Sequence, residues 1–244
     1  MELLINIFNT LLYKPLFNAL VLLYQYIPGQ DFGVAIIILT ILIRIVFYPL
    51  MVKSIQAQKI LSEVQPKIQE IQQKFKNDKE RQSKEMVALY QKEKINPFGG
   101  CLPLLIQLPI LIALFRVFWR GLTPGAMGYL YSFVPNPGMI NPAFFGLLDL
   151  SHPNLILAFL AGITQFFQSK MLTPKTKPQS KDKTAQFSDM MQKQMLYLFP
   201  LFTVFILWRL PSAIGLYWVI TALFSIGQQY LVFKKNKQCL VQPT

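Results

Sequence analysis

The sequence predicts an all-α integral membrane protein: a five-span helical bundle with a cytoplasmic helical hairpin and an N-terminal interfacial helix. Three observations carry this. Hydrophobic residues make up 53% of the 244 and charged residues only 14%, a membrane composition with the length of one compact bundle. Five apolar stretches, residues 33–52, 99–120, 154–171, 194–209 and 210–233, can each be read as a span. Lys and Arg collect in the segments between them, so the net charge of +13 describes membrane orientation and not a nucleic-acid face interleaved with stacking aromatics.

Residues 1–32 come first. Their apolar run, 3–27, is interrupted by Asn6, Asn9, Asn18, Lys14 and Pro15, and Pro15 is expected to kink a helix there. An interfacial helix on the outer leaflet fits these interruptions better than a sixth span in a hairpin with the first. There is no basic start and no small-residue cleavage site, so these residues are expected to stay in the mature chain.

The first span, 33–52, is uncharged except for Arg44. Residues 53–98 then form the hairpin. Leu61, Val64, Ile68, Ile71 and Phe75 recur at helical spacing, Asn77 and Asp78 mark a turn, and Met86, Leu89 and Tyr90 mark a second, shorter helix that Asn96 and Pro97 stop. The second span holds Pro103 and Pro109, with Arg116 near its outer end. The loop 121–153 is followed by the third span and a Lys-, Ser- and Thr-rich loop, 172–193, expected to be flexible. The fourth span has an uncharged core of only 15 residues, about 22 Å of helix against a hydrocarbon core of about 30 Å. Arg209, Leu210 and Pro211 turn the chain into the fifth span, and a basic tail, 234–244, ends it. Short spans of this kind imply local bilayer thinning.

Orientation follows from the basic residues: ten in 53–94, six in 170–193, three after residue 233, and none in 121–153. The positive-inside rule puts the N-terminus outside and the C-terminus inside.

Arg44 poses the chemical question. On a straight helix its Cα lies about 12 Å from the cytoplasmic end of its span, too deep for simple snorkelling unless the membrane is thin. A buried ion pair is excluded by inventory, because no Asp, Glu or His falls in any of the five spans. A hydrated cavity within the membrane is left, lined by Thr40 one turn away, Gln107, Gln165 and Gln168, and Tyr217, Trp218, Thr221 and Ser225. Each alone reads as an interhelical hydrogen bond or an interfacial anchor; around an unpaired arginine they read as a shared groove. The missing intramembrane acids speak against a cation-coupled transporter. With no phosphate-binding Gly-rich loop, HExxH, GxSxG or CxxC motif, an enzyme is not expected, nor a metal or other cofactor. Cys101 and Cys239 form no framework or metal spacing and read as free thiols.

The stretches GVAIIILTILIRIVFYPL, QPKIQEIQQKF, KEMVALYQKEKINPFGGCLPLLIQLPILIALF and LFPLFTVFILWRLPSAIGLYWV, in this order, resemble the core of the YidC family of bacterial membrane protein insertases. The resemblance covers residues 26–235, nearly the whole chain. It implies five core spans in the cytoplasmic (inner) membrane and a groove open to cytoplasm and lipid but closed outside. It also implies insertion and folding of newly made membrane proteins, alone or beside the Sec translocon, with clients received from ribosomes. The family's groove arginine falls on Arg44, its groove threonine on Thr40, and the aromatic positions of its last span on Tyr217 and Trp218; Gln165 and Gln168 take the polar face of the third span. The extra anchor and large periplasmic domain of longer members are not expected here. The short tail leaves the hairpin's Lys67, Lys74, Lys76, Lys79, Arg81 and Lys84, with loop 172–193, as the expected client and ribosome contacts. A monomer is expected. The competing readings are a non-catalytic assembly chaperone and a polar-solute channel using the same cavity.

Overall fold

The computed structural model describes residues 2–93, 102–120, 124–173, 190 and 193–241. The expected helix stop at Asn96 and Pro97, Cys101, and nearly all of loop 172–193 lie outside these. Helices are α1 (Glu2–Phe8), α2 (Lys14–Tyr26), α3 (Phe32–Val46), α4 (Tyr48–Lys74), α5 (Lys79–Lys92), α6 (Leu102–Arg120), α7 (Leu155–Leu172), α8 (Phe199–Leu207) and α9 (Ser212–Val241). The chain is an all-α membrane protein, and its one sheet among the described residues is a two-residue antiparallel ribbon, β1 (Ala143–Phe144) with β2 (Leu148–Asp149). By length and composition Ile5–Tyr26, Leu155–Leu172 and Ser212–Lys234 can cross a membrane, with a fourth span if α3 and α4 count as one bent unit. Leu105–Trp119 and Gln194–Leu207 are apolar but shorter.

Side-chain caps set several helix starts. Asp31 Oδ1 accepts from the Val34 N–H at 2.8 Å, Asp78 from Arg81 at 2.9 Å and Asn154 from Leu157 at 3.1 Å, each satisfying an otherwise orphan donor. Two prolines sit within helices that continue past them. Short π-helical segments, Asn9–Tyr13 and Gln194–Leu198, stand directly before Pro15 and Pro200, where Lys14 and Phe199 N–H groups reach back to the Asn9 and Gln194 carbonyls. Widening the turn moves the i−4 carbonyl away from the proline ring, so the helix runs on instead of breaking.

Pro49 has the opposite effect. α3 stops at Val46, Phe47 takes φ −88° and ψ 3°, and α4 starts with Pro49 in its first turn. The two axes differ by 69°. Residues 48–52, expected to finish the first span along a straight helix, belong to α4. The last helix departs in the other direction, running through the tail to Val241.

α9 is the central helix. It packs on α7, α3, α4 and α6, with α8 outside α7 and α2 outside α3 and α6. Its first turns, from Ser212 to Tyr217, are buried throughout. Phe17, Phe32, Leu114, Phe118, Leu150 and Tyr217 form the middle of the core. α6 reaches α2, α4 and α9, and α8 reaches α7 and α9, but no more than marginal packing joins α6 to α8 among the described residues.

The loop between α6 and α7 is bolted over one end of the bundle. The Asn18 amide donates to the Tyr129 carbonyl at 3.0 Å while its oxygen accepts from Tyr131 N–H at 2.7 Å. Tyr24 OH accepts from Asn141 N–H at 3.0 Å, and Asp31 Oδ2 accepts from Phe145 N–H. Ser212 and Ala213 N–H donate to the His152 and Leu150 carbonyls at 3.0 and 3.1 Å. At the other end α4 and α5 form the hairpin around Val64 and Ile68, against Leu61, Met86, Leu89 and Tyr90; Ile71 and Phe75, expected in the same seam, stand outside this cluster, Phe75 lying beneath Lys74 and Arg81.

Candidate functional site: a buried arginine in a polar seam

Ile36, Thr40 and Arg44 follow one another at four-residue spacing, so they share one face of α3, and all three are buried. Arg44 is 8% exposed. Its Nη2 donates to Gln107 Oε1 of α6 at 3.5 Å, and Gln107 Nε2 in turn donates to the Tyr217 hydroxyl of α9. Three helices thus meet at one cation through neutral groups, and no carboxylate pairs with Arg44 among the described residues.

The guanidinium has five N–H donors, and Gln107 takes one at the long limit of a hydrogen bond. The buried polar atoms that are both sealed and unpartnered belong to Gln72, Thr221 and Gln229. Arg44's nitrogens are not among them. Because α3 breaks at Phe47, only two residues separate Arg44 from the end of its helix, a rise of about 3 Å. The straight-helix depth of about 12 Å therefore does not hold. The side chain reaches across to Gln107 of α6.

The other expected groove residues fall into two groups. Thr40, fully buried, donates its hydroxyl to the Ile36 carbonyl at 2.6 Å and stays within its own helix. Gln165 of α7 is buried and accepts from Trp218 Nε1 of α9 at 2.8 Å, a second polar bridge that leaves α9 at the same level as the first but toward α7. Gln168 is half-buried and makes no hydrogen bond among the described residues.

Four buried polar residues extend the seam beyond these. Ser225 donates to the Thr221 carbonyl at 2.9 Å, Gln228 Nε2 donates to the Tyr48 carbonyl at 3.1 Å, and Gln229 and Ser54 are 2% exposed. Gln228 ties α9 to the first turn of α4, immediately past the bend. Gln228, Gln229 and Ser54 were not expected from the sequence. The signal was present: Tyr217, Thr221, Ser225 and Gln228 continue at spacings of four, four and three.

The basic residues of the hairpin are largely engaged. Lys67 pairs with Glu93 at 2.6 Å, Lys84 with Glu80 at 2.6 Å, and Lys79 donates to Gln82 at 3.2 Å. Lys74 and Arg81 lie over the Phe75 ring at 5.6 and 5.0 Å. Lys76 also has a partner. These contacts are solvent-exposed and individually weak, so they leave the face basic.

Among the described residues no group of three His, Cys, Asp or Glu could hold a metal ion.

The family model described as 60Kd inner membrane protein matches residues 22–239. The membrane protein insertase YidC of Fusobacterium nucleatum is 35% identical over 206 residues, 84% of this chain and 88% of that protein. That of Clostridium tetani is 36% identical over 211 residues, 86% of each. That of Syntrophus aciditrophicus is 38% identical over 226 residues, but there the chain spans only 36% of a longer protein. With most of its length matched by the family and by relatives of similar size, the chain belongs to the 60Kd inner membrane protein family, that of the YidC membrane protein insertases.

Proposed function

We propose that the chain inserts newly made membrane proteins by moving short hydrophilic tails partway across the bilayer through a hydrated groove centred on Arg44. The carrying observation is a buried arginine whose only described hydrogen-bond partner is the neutral Gln107. A cation held this way keeps its charge available to a passing acidic tail, where a carboxylate partner would neutralise it. Hydration of the remaining donors lowers the cost of placing charged and backbone groups within hydrocarbon. The second bridge, Gln165 with Trp218, and the seam from Thr221 to Gln229 prolong the polar lining.

The sparse packing between α6 and α8 supports a lateral exit. Leu105, Leu108 and Ile112 on one side and Leu201, Phe202 and Phe205 on the other are exposed apolar side chains. A client's apolar segment leaves the groove there, driven by its own partitioning into lipid and helped by the membrane potential acting on acidic tails. In this reading the N-terminus lies outside, the C-terminus inside, and the bolted loop closes the outer end. The hairpin is the cytoplasmic surface that receives clients, from ribosomes or beside the Sec translocon, and the monomer is the working unit. No cofactor takes part.

The test uses purified protein in sealed liposomes and a single-span client with an acidic tail, scored by protease protection of the tail. Wild type should protect, Arg44→Ala should protect several-fold less, and Arg44→Lys should fall between them. Equal protection by all three would refute the electrostatic role of Arg44. No protection by any would favour a chaperone that holds clients without inserting them.

A further inference from the structure

A second arginine has a built surround that the groove does not use. Arg116, on α6, faces a cavity of about 320 Å³ lined by Ile5, Asn9, Tyr13, Gly125, Ala126 and Tyr129, within the size range of small-ligand sites (roughly 300–1,000 Å³). Its Nη1 donates to Asn9 Oδ1 at 3.2 Å, and its guanidinium lies over the Phe8 ring at 5.0 Å. One edge and one face are thereby fixed, and the other donors have no partner among the described residues. No Asp or Glu lines the cavity, and Glu2, on α1, makes no ion pair with Arg116 among the described residues. The carrier of Asn9 is the π-helical segment ahead of Pro15. The turn that accommodates the proline is therefore also the turn that presents the arginine's anchor.

We propose that this cavity binds the phosphodiester of an anionic phospholipid headgroup. A planar guanidinium with two N–H groups on its open edge matches two phosphate oxygens. The cavity lies at the end of α6 where the apolar run ends, beside the Pro124–Tyr129 turn, the level at which headgroups meet a bundle. A basic pocket between helices is the arrangement that binds anionic headgroups at the cytoplasmic face of membranes, and here it stands at the opposite end of the bundle. A snorkelling arginine would have no reason to be clamped between an amide and a ring. Here the clamp orients the donors before the ligand arrives, which lowers the ordering cost of binding. The inference stands apart from the insertase reading.

The experiment is native mass spectrometry of the full chain in neutral detergent, titrated with phosphatidylglycerol, with phosphatidylcholine of the same acyl chains, and with inorganic phosphate. One phosphatidylglycerol should bind in preference to phosphatidylcholine, which presents the same phosphodiester but carries a choline cation that the Arg116 charge repels; equal binding of the two would overturn the anionic-headgroup assignment. Arg116→Gln should weaken that binding at least tenfold, and Asn9→Ala, which keeps the charge but frees the guanidinium, should weaken it by a smaller factor. Arg44→Ala should leave it unchanged, so a failure here and a failure of the insertion assay are read separately. Equal phosphatidylglycerol binding by wild type, Arg116→Gln and Asn9→Ala would overturn the proposal. Complete displacement by inorganic phosphate at the lipid's own concentration would overturn the lipid source and assign the site to free phosphate. If Arg116→Gln does not fold, Arg116→Lys and Asn9→Ala decide: unchanged lipid preference in both overturns the site.

Discussion

Gly33→Ala tests how the outer end of the bundle is closed. A methyl group at Gly33 would stand 2.0 Å from Phe144 Cδ2, 2.4 Å from Cγ and 2.7 Å from Cβ. A rotamer change can move the first two atoms but not the third, which is fixed to the backbone of β1. The ribbon must therefore lift, and the bond from Phe145 N–H to the Asp31 carboxylate lifts with it. Overpacking of this kind costs about 1–3 kcal/mol. Against it stands the gain from replacing glycine in a helix, at most about 1 kcal/mol and less at the first turn of α3. The clash wins, with a net loss of about 1–2 kcal/mol. At roughly 2–4 °C per kcal/mol for a chain of this size, the thermal midpoint falls by several degrees. The assay is thermal unfolding of the purified protein, with hydrogen exchange of segment 143–149 as the local readout. In a Phe144→Gly background all three atoms are gone, so Gly33→Ala should become neutral or slightly stabilising. A Gly33→Ala chain with wild-type midpoint and exchange, or one equally destabilised in both backgrounds, would refute the reasoning.

Two more perturbations address the groove and the outer loop. Gln107→Glu puts a carboxylate 3.5 Å from the Arg44 guanidinium at nearly constant shape; charge-assisted bonds are roughly twice as strong as neutral ones. The thermal midpoint should hold, while liposome insertion of acidic-tailed clients falls several-fold; undiminished insertion would rule out a free positive charge as the working feature. At the loop, the Ser151 hydroxyl and backbone N–H, with the neighbouring His152, hold the Asp149 carboxyl below the usual carboxylate range. A depressed carboxyl contributes stability that is complete above the unfolded value, about 3.9, and is lost as pH falls through the lower folded value. Acidification below about pH 4 should therefore lower the wild-type midpoint more than that of Asp149→Asn, by a small margin because the carboxylate is half exposed; parallel pH curves would contradict this.

The sequence by itself determined the all-α membrane class and singled out Arg44 as the residue to explain. Apolar length, the clustering of Lys and Arg, and the absence of any acid near Arg44 depend only on composition along the chain. The start of the hairpin seam, Leu61, Val64 and Ile68, was legible because helical spacing projects directly onto one face. So was the pair Tyr217 and Trp218, although their partners, Gln107 and Gln165, lie 110 and 53 residues away in the chain. Only the tertiary structure decided which amide serves which aromatic, because hydrogen bonds between helices depend on crossing geometry that no spacing encodes. The prolines show the same division. Pro15, Pro49 and Pro200 each remove one donor and crowd one carbonyl, yet the first and third are absorbed by π turns while the second ends a helix with a 69° bend. Local chemistry marks where a helix must yield. The contacts available to the freed backbone, including the Gln228 clamp on Tyr48, decide how it yields, and with it how near Arg44 lies to the end of its helix.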